Sequence, residues 1–272
     1  MEWLSGNLDV AGNSLEYACW GPPPGAAPTL VLLHEGLGSV GLWRDWPAQL
    51  AKATGYGVLV YSRAGYGRSS TVTLPRPPDY MSIEAETVLG RVLDAAGVTS
   101  AVLLGHSDGA TIAAIYAGSV SDMRVRGLIL MAPHFFCEPI GVEAISRAKV
   151  AYETEGLKER MARHHDAPDV AFYGWHDVWT DPANDTWSVA DCIDHWRIPA
   201  LAIQGTADAY GTLDQIDEIE GRIYAPFEKL ILDGIGHAPH QEATDKVTSA
   251  VADFCTRLRR IESQVVDIPE AG

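Results

Sequence analysis

The chain of 272 residues is 47% hydrophobic and carries a formal net charge of −16 at pH 7. That apolar content supports one large α/β core or two small ones, and the acidic balance argues against the basic face that nucleic acid or an anionic membrane surface would need. Cys19, Cys137, Cys192 and Cys255 lie far apart with no CxxC pair, so neither a disulfide framework nor a zinc site is indicated.

In chain order, the opening MEWLSGNLDV has neither a basic nor a long apolar region, and no later run reaches the roughly 18 apolar residues of a membrane span. A cytoplasmic protein is therefore expected. Residues 8–20 read as an edge hairpin turning at Gly12-Asn13. Six short apolar runs follow: TLVLLH (29–34), GVLVYS (57–62), AVLLGH (101–106), GLILMAP (127–133), PALAIQG (199–205) and EKLILD (228–233). Apolar almost throughout and separated by helical patterns, they predict strands of a mostly parallel sheet covered on both faces.

Helices are predicted at 43–54, 82–96, 108–118, 213–221 and 241–261. Ser82 is placed as an N-cap with Glu84 and Glu86 in the first turn, and Thr212 with Gln215 has capping-box spacing. Between 134 and 197 no strand is evident, but helical patterns at 141–152 and 157–164 accompany Trp175, Trp179, Trp187 and Trp196. Such an insertion reads as a helical cap over the strand ends, where open α/β sheets bind ligands. The expected architecture is a doubly wound α/β core (1–133 and 198–262), a helical cap or lid (134–197) and a frayed tail (263–272).

The chemistry concentrates at Gly105-His106-Ser107-Asp108-Gly109, a G-x-S-x-G pattern with a strand before it and a small-residue helix after it. In that context Ser107 is a candidate nucleophile on a strained turn, which needs a base and an orienting acid. His237 in DGIGHAPHQE and Asp208 in QGTADAYG each follow a predicted strand, and the order Ser107, Asp208, His237 is that of the α/β-hydrolases. His240 and Asp214 compete for the same roles, but Asp214 falls inside a predicted helix, and Pro239 suits the first turn of the last one, which would put His240 inside it.

Over nearly its whole length the chain resembles the α/β-hydrolase superfamily, through HEGLGS, SRAGYGRSS, GHSDGA, GTAD and GHAPHQE. The resemblance implies Ser107 as nucleophile, Asp208 as orienting acid, His237 as base, and an oxyanion hole formed by the N–H groups of Gly36 and Asp108. It also implies a small carboxylic ester or lactone as substrate and no cofactor. Two departures stand out: His34-Glu35-Gly36 in place of the commoner H-G-G or H-G-x, and Ser62-Arg63 where D-R is usual.

Other readings remain open at this level. Gly36-Leu37-Gly38-Ser39-Val40-Gly41 matches a dinucleotide-binding G-x-G-x-x-G, but that fold leaves GHSDG, GTAD and GHAPHQE unexplained. Carbon–carbon bond hydrolysis of a ring-cleavage diketone, and a non-catalytic binding protein on the same fold, are the rival functions. His164-His165-Asp166 and His176-Asp177 lack the convergence a metal needs and are expected on solvated cap surface; no metal is expected. Glu35, Trp175 and Trp179 are candidate substrate-binding residues. Glu35 and Asp108 are expected either to pair internally, with Arg63 or Arg68, or to hold a substrate amine. A monomer or homodimer is expected.

Overall fold

Residues 2–263 are described here from a computed structural model of the chain. They form one eight-stranded sheet in the order β1-β2-β4-β3-β5-β6-β7-β8. Strands β1 (Glu2–Val10) and β2 (Asn13–Trp20) form an antiparallel hairpin, and β2 pairs antiparallel with β4 (Gly57–Tyr61). From β4 onward pairing is parallel, through β3 (Thr29–Leu33), β5 (Ala101–His106), β6 (Val125–Met131), β7 (Ala200–Gly205) and β8 (Phe227–Leu232).

Continuous apolar runs are needed because side chains alternate between two covered faces. Val31, Leu33, Leu59 and Leu103 enter one core with Ile112 and Ile115, whereas Leu30, Leu32, Val58 and Val102 enter the other with Trp46, Leu50, Val251 and Phe254. Around the sheet run α1 (Trp46–Thr54), α2 (Tyr80–Ile83), a wide π-type stretch (Glu84–Leu89), α3 (Gly90–Ala95) and α4 (Asp108–Ser119). Between β6 and β7 lie α5 (Pro139–Thr154), α6 (Leu157–Met161) and α7 (Pro168–Trp179); α8 (Asp214–Arg222), α9 (Pro239–Glu242) and α10 (Thr244–Glu262) complete the chain. Among the described residues no helix is long and apolar enough to cross a membrane.

Several local expectations are corrected. The hairpin turns at Ala11-Gly12, with φ of 52° and 82°, and Val10 pairs with Asn13. A two-residue turn with both central φ positive matches the strand twist, and here an alanine accepts that strain. The second helical region starts at Tyr80, so Ser82 lies inside it. Thr212 Oγ1 does accept from the Asp214 N–H (3.1 Å), but Gln215 is buried and turns away to bond Phe135, Phe136 and Glu138. Helix α7 has no counterpart in the sequence reading; Gly174 and its aromatic neighbours weaken the helical signal, and that glycine admits Arg76 against the helix. Trp196 belongs to the sheet's core, donating to Ala114 O at 2.9 Å. Of the expected frayed tail, only Ser263, the C-cap of α10, falls within the described residues.

Beneath the C-terminal edge, His240 sits between Trp43 and Trp46, each 5.1 Å away between ring centroids, and its Nδ1 has no hydrogen-bond partner. Burial first, then the neighbouring His237 and Arg44, lowers its pKa to about 4. A lowered histidine pKa means that the unfolded chain takes up the proton first as pH falls below about 6.5, so stability drops between there and about 4. His240→Phe is expected to remove roughly 3 kcal/mol of that acid-induced loss, read as a flatter dependence of urea-unfolding free energy on pH between 7 and 4.5.

Candidate active site

The sheet winds outward from β3 to β4 on one side and from β5 through β8 on the other, which leaves a crevice at the C-terminal ends of its central strands. The GHSDG turn stands there. Ser107 has φ 53° and ψ −122°, a strained conformation for a residue with a Cβ. Its N–H donates to Met131 O (2.9 Å), and its carbonyl accepts from the N–H groups of Ala110 (2.8 Å) and Thr111 (3.1 Å). A Cβ on Gly105 would collide with the Gly109 carbonyl, and one on Gly109 with the Leu33 carbonyl. Both glycines are therefore required for α4 to start this close to β3 and β5.

Asp208 leaves β7 and His237 leaves β8, and the two meet: His237 Nδ1 lies 2.9 and 2.8 Å from the two carboxylate oxygens. Asp208 also accepts from Gln204 Nε2 (2.9 Å) and the Tyr210 N–H (2.8 Å). Burial raises its pKa, but the hydrogen bond and charge of His237 and the Tyr210 N–H together bring it below its ordinary value. A carboxylate at Nδ1 keeps the proton on that nitrogen and leaves Nε2 as an acceptor. The loop is also tied to the turn that carries Ser107, since His106 Nε2 donates to His237 O at 2.6 Å.

Ser107 and His237 line one cavity, and among the described residues no hydrogen bond joins them directly. Such contacts tighten when substrate binds. Of the competitors, Asp214 is exposed at the start of α8 and His240 is packed below the site.

The loop after β3 is held by a second polar network. His34 Nδ1 donates to Glu35 O (2.7 Å), while its Nε2 accepts from the Arg63 N–H (3.1 Å), which defines a neutral tautomer. Glu35 O also accepts from Arg63 Nη2 (3.1 Å) and the Gly38 N–H (3.1 Å). Across a trans peptide the C=O and the following N–H point in opposite directions. Three donors on Glu35 O therefore aim the Gly36 N–H the other way, and Gly36 lines the cavity beside Ser107. A side chain at Gly36 would collide with the Trp175 indole, and one at Gly38 with the Glu35 carboxylate, so these glycines make room for protein groups.

Asp108 and Glu35 behave differently. The buried Asp108 carboxylate accepts from Tyr80 Oη and from Trp179 Nε1 (3.3 Å), with Arg63 Nη2 at 3.9 Å. Arg68 instead pairs with the exposed Asp166. Burial dominates over these partners and raises the Asp108 pKa. Burial likewise raises that of Glu35, against the pull of its own N–H and of Arg63. The acid absent at Ser62 is replaced from β2: Glu16 accepts from Ser62 Oγ (2.7 Å) and the Arg68 N–H (2.9 Å).

Helices α5 and α7 wall the cavity with Ile145, Trp175 and Trp179, and its volume is about 190 Å³. His134 and Tyr210 complete the lining beside His237. Sequence reasoning missed both, although each follows a strand, as Ser107 and Asp208 do. The expectation of a solvated His164–Asp166 and His176–Asp177 surface is corrected: His165 is buried, accepting at Nδ1 from the Gly67 N–H (3.0 Å) with Nε2 on Leu37 O (2.9 Å), and His176 is buried on Phe172. Only Asp166 and Asp177 are exposed, and among the described residues no group of side chains could hold a metal.

A family profile described as the alpha/beta hydrolase fold matches residues 28–190. The chain belongs to that family. It is 36% identical to a bovine (Lyso)-N-acylphosphatidylethanolamine lipase over 39% of its length, spanning only 30% of that protein. It is 26% identical to Epoxide hydrolase A of Mycobacterium tuberculosis over 92% of this chain and 97% of that one. The enol-lactonase of Burkholderia xenovorans LB400 superposes with a TM-score of 0.68 at 22% identity, covering 92% and 99% of the two chains.

Proposed function

We propose that the protein is a cofactor-independent serine hydrolase acting on a small carboxylic ester or lactone. The observation that carries this reading is the Asp208–His237 pair, hydrogen-bonded at 2.8 Å, whose histidine lines the same cavity as a serine on a strained strand-to-helix turn. Ser107 Oγ attacks the carbonyl carbon while His237 Nε2 takes its proton. The tetrahedral oxyanion is bound by the N–H groups of Gly36 and Asp108, the latter at the positive end of α4. His237 then gives the proton to the leaving oxygen, the C–O bond breaks, and an acyl-enzyme forms. Water, deprotonated by the same imidazole, releases the acid and restores Ser107.

Size and charge support a small, uncharged acyl group. A cavity of about 190 Å³ is smaller than the roughly 300–1,000 Å³ of pockets that take drug-sized ligands. Glu35, Asp108 and Glu138 line it, and among the described residues no lysine or arginine does. With no lysine or arginine on the described wall, nothing there would pair with the carboxylate of a ring-cleavage diketone. Epoxide opening in this superfamily uses an aspartate nucleophile, and here that position is Ser107. The test is a fluorophosphonate probe followed by a panel of short-chain esters, lactones and diketones. Labelling with ester or lactone turnover is expected; cleavage of the diketone alone would move the assignment to carbon–carbon hydrolysis, and neither labelling nor turnover would leave a binding protein.

A further inference from the structure

His134 has no place in the chemistry above, yet the fold fixes it in the cavity. It is 7% exposed, and among the described residues neither ring nitrogen has a hydrogen-bond partner. Its ring lies edge-on to Trp179 (5.5 Å between centroids) and 5.8 Å from the ring of His237. The loop that carries it is held on both sides. Thr111 Oγ1, from the helix that starts at the nucleophile, accepts from the His134 N–H (3.2 Å) and donates to its carbonyl (2.7 Å). Gln215 clamps the next two residues, accepting from the Phe135 N–H (2.7 Å) and donating to Phe136 O (3.1 Å). Entry to the loop runs through Ala132 at φ 47°, a left-handed conformation that a side chain disfavours.

A strained backbone is costly to hold. If His134 served only to pack against Trp179, phenylalanine or leucine would do so, whereas an imidazole on the cavity wall presents a donor and an acceptor to what enters it. Burial, followed by the neighbouring His237, lowers its pKa to about 3, so the ring is neutral and offers one donor and one acceptor. It does not compete as the base, because Asp208 is hydrogen-bonded to His237. It stands on the His237 side of the cavity, where the leaving oxygen must collect its proton.

We propose that His134 is a hydrogen-bonding subsite for the leaving group, binding a hydroxyl on the alkoxy part of the ester so that esters of hydroxylated alcohols are preferred over simple alkyl esters. The proposal rests on the serine-hydrolase reading and names the substrate class within it. The probes are 2-hydroxyethyl acetate and propyl acetate, which match in size and differ in one hydroxyl. Wild type is expected to favour the hydroxyethyl ester by about tenfold in kcat/KM. In His134→Phe and His134→Leu the ratio of the two kcat/KM values should fall to about one, whatever the change in either rate alone; His134→Gln, which keeps a donor and an acceptor, should retain the preference.

The proposal is overturned if wild type shows no preference, or if the variants lose both esters in parallel with the ratio intact. If the phenylalanine variant fails to fold, the leucine and glutamine variants carry the same comparison of ratios. Fluorophosphonate labelling and propyl acetate turnover by wild type separate the two levels. If both are absent the serine-hydrolase reading fails; if both are present without a hydroxyl preference, only the role of His134 fails.

Discussion

Ser107→Ala is expected to lower kcat for a small aryl ester by about 10⁴-fold or more, and to abolish fluorophosphonate labelling, with little change in stability. The two halves of that expectation have different origins. Activity is lost because among the described residues no other serine or threonine lines the cavity. Stability is kept because the fold holds the turn through the Ser107 backbone, bonded to Met131, Ala110 and Thr111, and through the glycines beside it. Alanine has the same Cβ as serine, so the φ of 53° is no more strained in the variant. Residual hydrolysis would come from the Gly36 and Asp108 N–H groups alone. Activity within a few-fold of wild type, with an unchanged thermal midpoint, would remove Ser107 from the mechanism and the ester reading with it.

How much was legible in advance follows from which interactions are local. The first five apolar runs are strands covered on both faces, and continuous hydrophobicity is the direct imprint of that; the last, β8, is the edge strand, and its Glu228, Lys229 and Ile231 are exposed against the expectation of full cover. Gly105 and Gly109 announced the turn because only glycine permits the contacts their neighbours make. Information was lost where a position depends on something distant in sequence. Ser82 looks like an N-cap in its own window, but its helix begins at Tyr80, whose hydroxyl reaches Asp108. Gln215 has capping-box spacing, yet the β6 loop claims its side chain. The carboxylate missing at Ser62 is supplied by Glu16, a replacement that only the pairing of β2 with β4 creates. His134 was invisible for the same reason: its place in the cavity is fixed by Thr111, and that of the next residues by Gln215, both distant in sequence. Glu35 and Asp108 were grouped as two acids near one site, and three-dimensional packing separates them. Both line the cavity, but it is the Asp108 carboxylate that Tyr80, Trp179 and Arg63 enclose.

Asp208→Asn is expected to reduce kcat by about 10⁴-fold near neutral pH with KM within a few-fold of wild type. The amide is nearly the same size as the carboxylate, so the loss would come from proton placement. Both oxygens of Asp208 accept from His237 Nδ1, one also from the Tyr210 N–H and the other from Gln204 Nε2. An asparagine would keep its oxygen towards Tyr210 and turn its NH₂ to Gln204, whose buried Oε1 has no partner and could receive it after a flip of that amide. The same NH₂ then faces His237 Nδ1 and favours the tautomer with the proton on Nε2, the nitrogen that must accept from Ser107. The fold would tolerate the change and the base would be lost. Because the carboxyl of Asp208 is held below its ordinary value, the stability it contributes is present above the unfolded carboxylate pKa of about 3.9 and lost only as pH falls through the folded value. The variant's thermal midpoint should therefore converge on that of wild type only in strong acid, while its activity stays low at neutral pH. A loss of less than about tenfold would mean that His237 takes its tautomer from another group, and Asp208 would then be a loop anchor for Tyr210 and Gln204.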